Sequence, residues 1–168
     1  MVVRAATEAD ADAIAAVHGR AWVHAYESFL PYDQLTKYDH DERRAWWTRV
    51  LRGELASHVL VATTGDGAVH AFAAYGGAGD ADRAGGGVGE LYAMYVDPAA
   101  QGAGLGRALL AATEDALRAE GFARAVLWVY EEHGHGRAFY AGGGWTLDGE
   151  RRVEEDWSAP GVRMEKAL

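Results

Sequence analysis

The feature that most narrows what this chain can fold into is one continuous stretch in its second half. It runs from an apolar segment, Glu90 to Val96, through Asp97-Pro98 and the turn Gln101-Gly102-Ala103-Gly104-Leu105-Gly106-Arg107 into a run of helical periodicity. Proline has no N–H for a sheet ladder and pushes the residue before it toward an extended backbone, so Asp97-Pro98 ends a strand. From Leu105 the apolar positions Leu109, Ala112, Ala116 and Leu117 recur at helical spacing. Glu114, Asp115, Arg118 and Glu120 fall off that face, and Gly121 supplies a stop. Glycines let a backbone approach a ligand with no Cβ in the way. A helix that begins there offers unpaired N–H groups and a partial positive charge, the physical basis of pyrophosphate binding. The same glycines also serve a tight strand-to-helix turn that binds nothing, so the run alone does not decide.

Two other phosphate-binding patterns fit less well. A P-loop needs Lys followed by Ser or Thr after its last glycine, where this chain has Arg107-Ala108. The dinucleotide fingerprint wants an acidic residue about twenty positions on, closing the following strand. Glu131 lies just past that strand, at twenty-five.

The remaining chain supplies the parts of one domain over residues 1–168. With 49% apolar residues in 168, it can bury roughly 70% of the surface it would expose unfolded. Val2 to Ala6 reads as a strand, and Thr7 with Asp10 marks a helix start before Ile14, Val17 and Trp22. A second helix spans Asp39 to Leu51, with Trp46, Trp47, Val50 and Leu51 on one side and Asp41, Glu42, Arg43, Arg44 and Arg49 elsewhere. An aromatic loop, Tyr26 to Tyr38, lies between them. Val59 to Thr63 and Ala68 to Tyr75 flank Thr64-Gly65-Asp66-Gly67, which predicts an antiparallel hairpin. Gly76 to Gly89 holds seven glycines in fourteen residues and reads as a flexible surface loop. Ala125 to Tyr130 is an apolar run of strand length, expected to be covered on both faces. Arg137 to Ala141 predicts a short helix, and Trp145 to Leu147 and Val162 to Ala167 supply late strands.

Composition excludes several kinds of chemistry. The net charge of -9 disfavours nonspecific binding to nucleic acid or anionic membrane and mildly attracts small cations. The absence of cysteine removes disulfides, thiolate metal sites and any cysteine acyl-enzyme. Met1 to Ala6 has neither the basic start and apolar run of a signal peptide nor the ~20 residues that cross a bilayer, so a soluble, cytoplasmic protein is expected. His18, His24, His58 and His70 are scattered without metal-ligand spacing, and no metal is expected.

Val96-Asp97-Pro98 followed by Gln101-x-x-Gly104-x-Gly106 resembles the signature of the GNAT superfamily of N-acetyltransferases. There an Arg/Gln-x-x-Gly-x-Gly/Ala run opens a helix directly after a strand. The likeness continues in His133, Gly136, Phe139-Tyr140, Gly144 and Trp145, which stand where family members often have Asn-x-x-Ala-x-x-Phe-Tyr-x-x-x-Gly-Phe. It covers Glu90 to Leu147, about a third of the chain, with two departures: His133 replaces the usual asparagine, and Gly136 the usual alanine. The fold it implies is α/β (α+β): a mixed, mostly antiparallel central sheet with helices on both faces. A splayed gap between the Glu90 and Ala125 strands would admit an acyl-coenzyme A.

The resemblance implies acetyl-CoA as donor cosubstrate and direct attack by an amine of a small molecule or peptide. The cofactor contacts it carries over are Met94, Tyr95 and Val96 at the strand end; Gln101, Gly102, Ala103, Gly104, Leu105, Gly106 and Arg107 in the loop; and His133 and Tyr140. Tyr140 matches the family tyrosine that protonates the departing thiolate, and a phenol near pKa ~10 suits that role; its alternative is an aromatic packed beside Phe139. Glu90 is the first choice for base, because alternation places Glu90, Tyr92 and Met94 on one strand face and Leu91, Ala93 and Tyr95 on the other. A solvated strand-end carboxylate is its alternative, and His133 is the second choice for base. Trp22, Tyr26, Phe29, Tyr32, Trp46 and Trp47 fall where the acceptor cleft is expected, and Asp33, Asp39 and Glu27 could attract an amine. Late strands and Trp157 are compatible with a homodimer. Two further readings stay open: a noncatalytic acyl-CoA-binding or sensing module, and a nucleotide-binding protein that uses the same loop.

Overall fold

Alternating and continuous apolar runs give the described residues seven strands, and the sheet they form carries the site. The computed structural model describes residues 1–83, 87–153 and 159–168. The strands are β1 (Val2–Ala5), β2 (His58–Thr63), β3 (Val69–Gly77), β4 (Val88–Val96), β5 (Arg124–Tyr130), β6 (Thr146–Arg152) and β7 (Gly161–Ala167), in sheet order β1-β2-β3-β4-β5-β7-β6. Every neighbouring pair is antiparallel except β4 and β5. The helices are α1 (Ala11–Tyr26), α2 (Tyr32–Leu35), α3 (His40–Leu51), α4 (Leu105–Ala119) and α5 (Gly134–Gly142). α2 falls within the stretch expected to be loop, and α5 extends beyond the expected Arg137 to Ala141 at both ends.

The two larger of three buried clusters lie on opposite faces of the sheet. Leu105, Leu109, Leu110 and Leu117 of α4 pack with Leu91, Leu127 and Trp145 on one face. On the other, Ile14 and Val17 of α1 and Trp47 and Val50 of α3 pack on Val61 and Phe72. α3 corrects its predicted facing: Trp46 is 51% exposed, while Arg43 turns inward and is 8% exposed. Arg43 can do so because its guanidinium donates to the Tyr38 carbonyl at 2.8 Å. Glu114 of α4, expected on the outer face, is likewise buried. It accepts from Trp145 Nε1 at 2.9 Å and Lys166 Nζ at 2.6 Å, so two donors offset its desolvation.

β4 departs from simple alternation. Ala93 lies opposite Ala74 and Leu91 opposite Tyr75, so Tyr92 is an extra residue, a bulge that reverses the facing beyond it. Leu91, Met94 and Val96 therefore face α4, and Ala93 and Tyr95 face α1 and α3. A Cβ on Gly89 would meet Leu117 of α4, which places Glu90 on the α1 side with Tyr95 and not, as alternation predicted, with Met94.

The loop from β3 to β4 is shorter than the glycine-rich run suggested, and its described part is held rather than loose. Arg163 of β7, 2% exposed, donates to Asp80 at 2.8 Å, to Asp82 at 2.8 and 2.9 Å and to Asp148 at 2.6 Å. Asp80 also accepts from Trp128 Nε1 at 2.9 Å. Residues 78–83 thus form a strap across β5 and β7, and Trp157 lies outside the described residues.

Candidate active site

β4 and β5 pair only from Val88 with Arg124 to Leu91 with Leu127. Beyond that point β4 remains on the ladder with β3, Met94 opposite Ala73, Tyr95 opposite Phe72 and Val96 opposite Ala71. Its other edge, facing β5 residues 128–130, has no partner strand among the described residues. Parallel strands that part in mid-sheet leave backbone groups open to a ligand along one edge, and the gap lies between the two strands for which the family resemblance implied it.

The turn after β4 begins where Asp97 accepts from Ala99 N–H at 3.1 Å and is bound by Arg20 of α1 at 2.5 Å. Gly102 and Gly104 both have φ of 82°, a left-handed backbone that favours glycine. Gly104 occupies the N-cap of α4 and so offers no capping side chain. The amides of residues 102–107 find no acceptor among the described residues, and the first bond of the helix runs from Ala108 N–H to Gly104 O at 3.1 Å. Gln101 differs from the other expected loop donors, since its N–H is directed at Pro98 O at 3.4 Å. Gly106 lets this end of α4 sit close to α5 and β4; a Cβ there would stand 3.3 Å from Phe139 and 3.5 Å from Val96. A groove of about 530 Å³ leads away from Arg107 between α4 and α5, past Leu110, Ala138, Phe139 and Gly143.

Aromatic side chains from both faces meet at the gap. The Tyr26 and Tyr95 hydroxyls lie 3.2 Å apart, and the Tyr26 ring contacts Trp22, Tyr130 and His133 at centroid distances of 4.7, 5.0 and 5.3 Å. Tyr140 of α5 is half-buried, and its hydroxyl has no hydrogen-bond partner among the described residues. Burial pushes the Tyr140 phenol well above the ordinary tyrosine range, with Tyr26 adding to the shift, so it carries its proton at neutral pH. Burial likewise lifts Tyr26 to about 12. His133, half-buried at the start of α5, is lowered by burial and by His135, and is neutral at pH 7.

Glu90 sits apart from this cluster. Its carboxylate is half-buried and accepts Gly79 N–H at 3.1 Å. Burial raises its pKa, the Gly79 bond opposes that, and Asp80 adds to the rise. Five residues along β4, less one for the bulge, separate Glu90 from Tyr95, roughly 13–16 Å. Among the described residues no hydrogen bond joins Glu90 to Tyr140, whose ring contacts Phe139 and Trp145.

Of the expected acceptor residues, Trp22, Tyr26 and Phe29 lie together beside the gap. Trp47 is buried against Phe72 and donates to His18 Nδ1 at 3.2 Å, whereas Tyr32 is 80% exposed. Asp39 caps α3 by accepting Glu42 N–H at 2.9 Å, a structural task, and Asp33 and Glu27 are exposed. Tyr95 was expected as a strand-end contact, but its hydroxyl contact with Tyr26 and the presence of Tyr130 beside it were not foreseen. Among the described residues no group of three or more His, Asp or Glu could hold a metal, and no helix is long and apolar enough to cross a membrane.

The sequence matches the Acetyltransferase (GNAT) family over residues 15–144, from within α1 to the end of the α5 region. The chain belongs to the GNAT acetyltransferase family. Acetyltransferases of this family use acetyl-CoA as donor and act on amine acceptors. Solved structures agree in fold. A putative acetyltransferase from Salmonella typhimurium, solved with its cofactor acetyl-CoA, is 26% identical with a TM-score of 0.74, covering 100% of this chain and 94% of that one. The ribosomal-protein-alanine N-acetyltransferase from Brucella melitensis is 25% identical with a TM-score of 0.75, covering all of both chains. The PaiA N-acetyltransferase from Thermoplasma acidophilum, in complex with coenzyme A, is 18% identical with a TM-score of 0.75 and also covers all of both. No curated protein matched the sequence.

Proposed function

We propose that this chain is an acetyl-CoA-dependent N-acetyltransferase, one domain over residues 1–168, that acetylates a primary amine of a small molecule or peptide. The observation that carries this reading is the row of unpartnered amides at residues 102–107 beside a sheet that opens between β4 and β5. Six N–H groups on a helix start form a fixed positive field for a pyrophosphate, and the free edge of β4 can receive an amide-bearing arm. Two structures of the same fold were solved with coenzyme A or acetyl-CoA, which supports the same ligand here.

Acetyl-CoA would supply an activated acetyl thioester. The chain's part is to hold it and to manage protons. Gly102, Ala103, Gly104, Leu105, Gly106 and Arg107 hold the diphosphate through their amides, with Gln101 as flanking contact, and Met94, Tyr95 and Val96 line the thioester arm with His133. Tyr140 holds a proton on a phenol oxygen with no competing partner among the described residues and delivers it to the leaving sulfur. Glu90 takes the proton released by the amine. Its separation from Tyr95 along β4 requires intervening water, and its raised pKa brings a carboxylate closer to the working pH of a base. An acidic protein without cysteine suits an amine substrate in a reducing cytoplasm. β6 is an edge strand with Leu147 51% exposed, and pairing there would give a homodimer.

A thiol-release assay across an amine library tests this directly. Glu90→Gln and Tyr140→Phe should each slow transfer at least ~10-fold, since positioned acid-base groups contribute ~100-fold or more. If neither does, or if ATP or NAD binds in preference to acetyl-CoA by calorimetry, the reading is wrong. Binding of acetyl-CoA with no turnover on any amine would instead favour a sensing module.

A further inference from the structure

The two positions that depart from the family pattern are in contact. His133 occupies the N-cap of α5 but makes no capping hydrogen bond; its ring folds over Gly136, three residues on. A Cβ built on Gly136 would lie 2.3 Å from His133 Cδ2 and 2.6 Å from Nε2, far inside any real contact. Gly136 is buried in the first turn of α5 with an ordinary helical backbone, so no positive φ explains a glycine there. In such a place alanine is the better helix former. The space is used by the imidazole.

On its other side the ring meets Tyr26 edge-on at 5.3 Å, and His135 lies 6.4 Å away. The His133 backbone is fixed at both ends, its N–H donating to Tyr130 O and its C=O accepting from Arg137 N–H, each at 3.0 Å. The ring nitrogens have no partner among the described residues. A side chain wedged between a bare Cα and a tyrosine ring has one rotamer available, and its two nitrogens can offer one donor and one acceptor.

We propose that Gly136 is a positioning residue for His133: its missing Cβ is the seat that holds the imidazole against Tyr26 at the open end of the β4–β5 gap, where the ring hydrogen-bonds the bound acyl donor. The two departures then form one unit, histidine with glycine in place of asparagine with alanine. This rests on the reading that the gap receives acetyl-CoA.

The test compares wild type, Gly136→Ala, His133→Asn and the double variant by acetyl-CoA calorimetry, thermal melting and NMR of the His133 ring. Alanine at 136 should turn the ring out, weaken acetyl-CoA binding about 10-fold, the worth of one hydrogen bond, and abolish the response of the His133 ring signal to acetyl-CoA. In the double variant the same alanine should be harmless, leaving affinity within about threefold of His133→Asn and Tm equal or higher. Wild-type affinity in Gly136→Ala overturns the proposal. So does a double variant that loses affinity or Tm relative to His133→Asn, and that comparison stands even if Gly136→Ala fails to fold. If wild type itself does not bind acetyl-CoA, the acetyltransferase reading fails separately. The seat is still judged in the free protein, where the Tyr26 ring current must displace the His133 signals in wild type and not in Gly136→Ala.

Discussion

Gly104→Ala probes the turn that presents the amides, and its cost can be worked from the backbone. Gly104 has φ of 82°, and nothing lies within 4 Å of where a Cβ would stand, so the substitution makes no clash. What remains is the left-handed backbone, about 1–2 kcal/mol for a residue with a Cβ. In a chain of 168 residues, 1 kcal/mol shifts Tm by about 2–4 °C, so the variant should melt about 2–8 °C lower if the turn keeps its shape. If the turn relaxes instead, part of that loss disappears and the amides of Leu105, Gly106 and Arg107 rotate away from a common point. Hydrogen bonds to a charged partner contribute about 1.5–3 kcal/mol, so losing one weakens acetyl-CoA binding roughly 10- to 100-fold. Calorimetry and melting with and without acetyl-CoA read both outcomes, because a ligand at 100 times its Kd adds about 2.7 kcal/mol to stability. Gly134→Ala is the control: it also meets nothing within 4 Å and has no positive φ, so its Tm should hold or rise. A Gly104→Ala protein with wild-type affinity and wild-type Tm would refute the role given to this turn.

The remaining expectations concern protons. Tyr140→Phe should lower kcat about 100-fold while acetyl-CoA affinity changes less than threefold, and a kcat within twofold of wild type removes Tyr140 as the acid. Glu90 acts as a base only when ionised, so kcat/KM should fall as pH drops through its pKa, which burial raises from the ordinary value; Glu90→Gln should erase that limb, and a limb that persists belongs to another group. His18 is held neutral, its pKa depressed to about 3 chiefly by burial, with Arg43 adding to it. The unfolded chain then binds the extra proton between pH ~6.5 and 3, so stability is lost as pH is lowered through that window by up to ~1.4 kcal/mol per unit, and His18→Gln should flatten the slope in denaturant titrations. Asp10, held near 2 chiefly by its bond to Arg4, acts in a lower window: its stabilisation is full above pH ~4 and is lost toward pH 2. Asp10→Ala should lower Tm at pH 7 and lower it much less at pH 2.

The parts of the site that could be read in sequence are those where a residue type has one physical use. Gly102 and Gly104 mark a turn whose backbone can approach a ligand, Pro98 ends β4, and the apolar run of β5 marks a buried strand, so the helix start and its amides were foreseeable, whereas the gap beside them was implied only by the family resemblance. What could not be read depends on partners far away in the chain. Tyr92 is an ordinary strand residue until its pairing with β3 makes it a bulge, and that one insertion moved Glu90 from the face of Met94 to the face of Tyr95. Arg43 and Glu114 look like surface charges and become buried because Tyr38, Trp145 and Lys166 meet them. The glycine-rich run after β3 conceals Asp80 and Asp82, whose order comes from an arginine more than eighty positions later. His133 and Gly136 were visible as two separate oddities, and only coordinates show one filling the space the other leaves.

Amide-resolved NMR during an acetyl-CoA titration confronts the account most directly. The largest shifts should fall on the N–H signals of residues 102–107, with smaller ones along β4 from Met94 to Val96. If acetyl-CoA binds while those signals stay where they were, the helix start is not the diphosphate site.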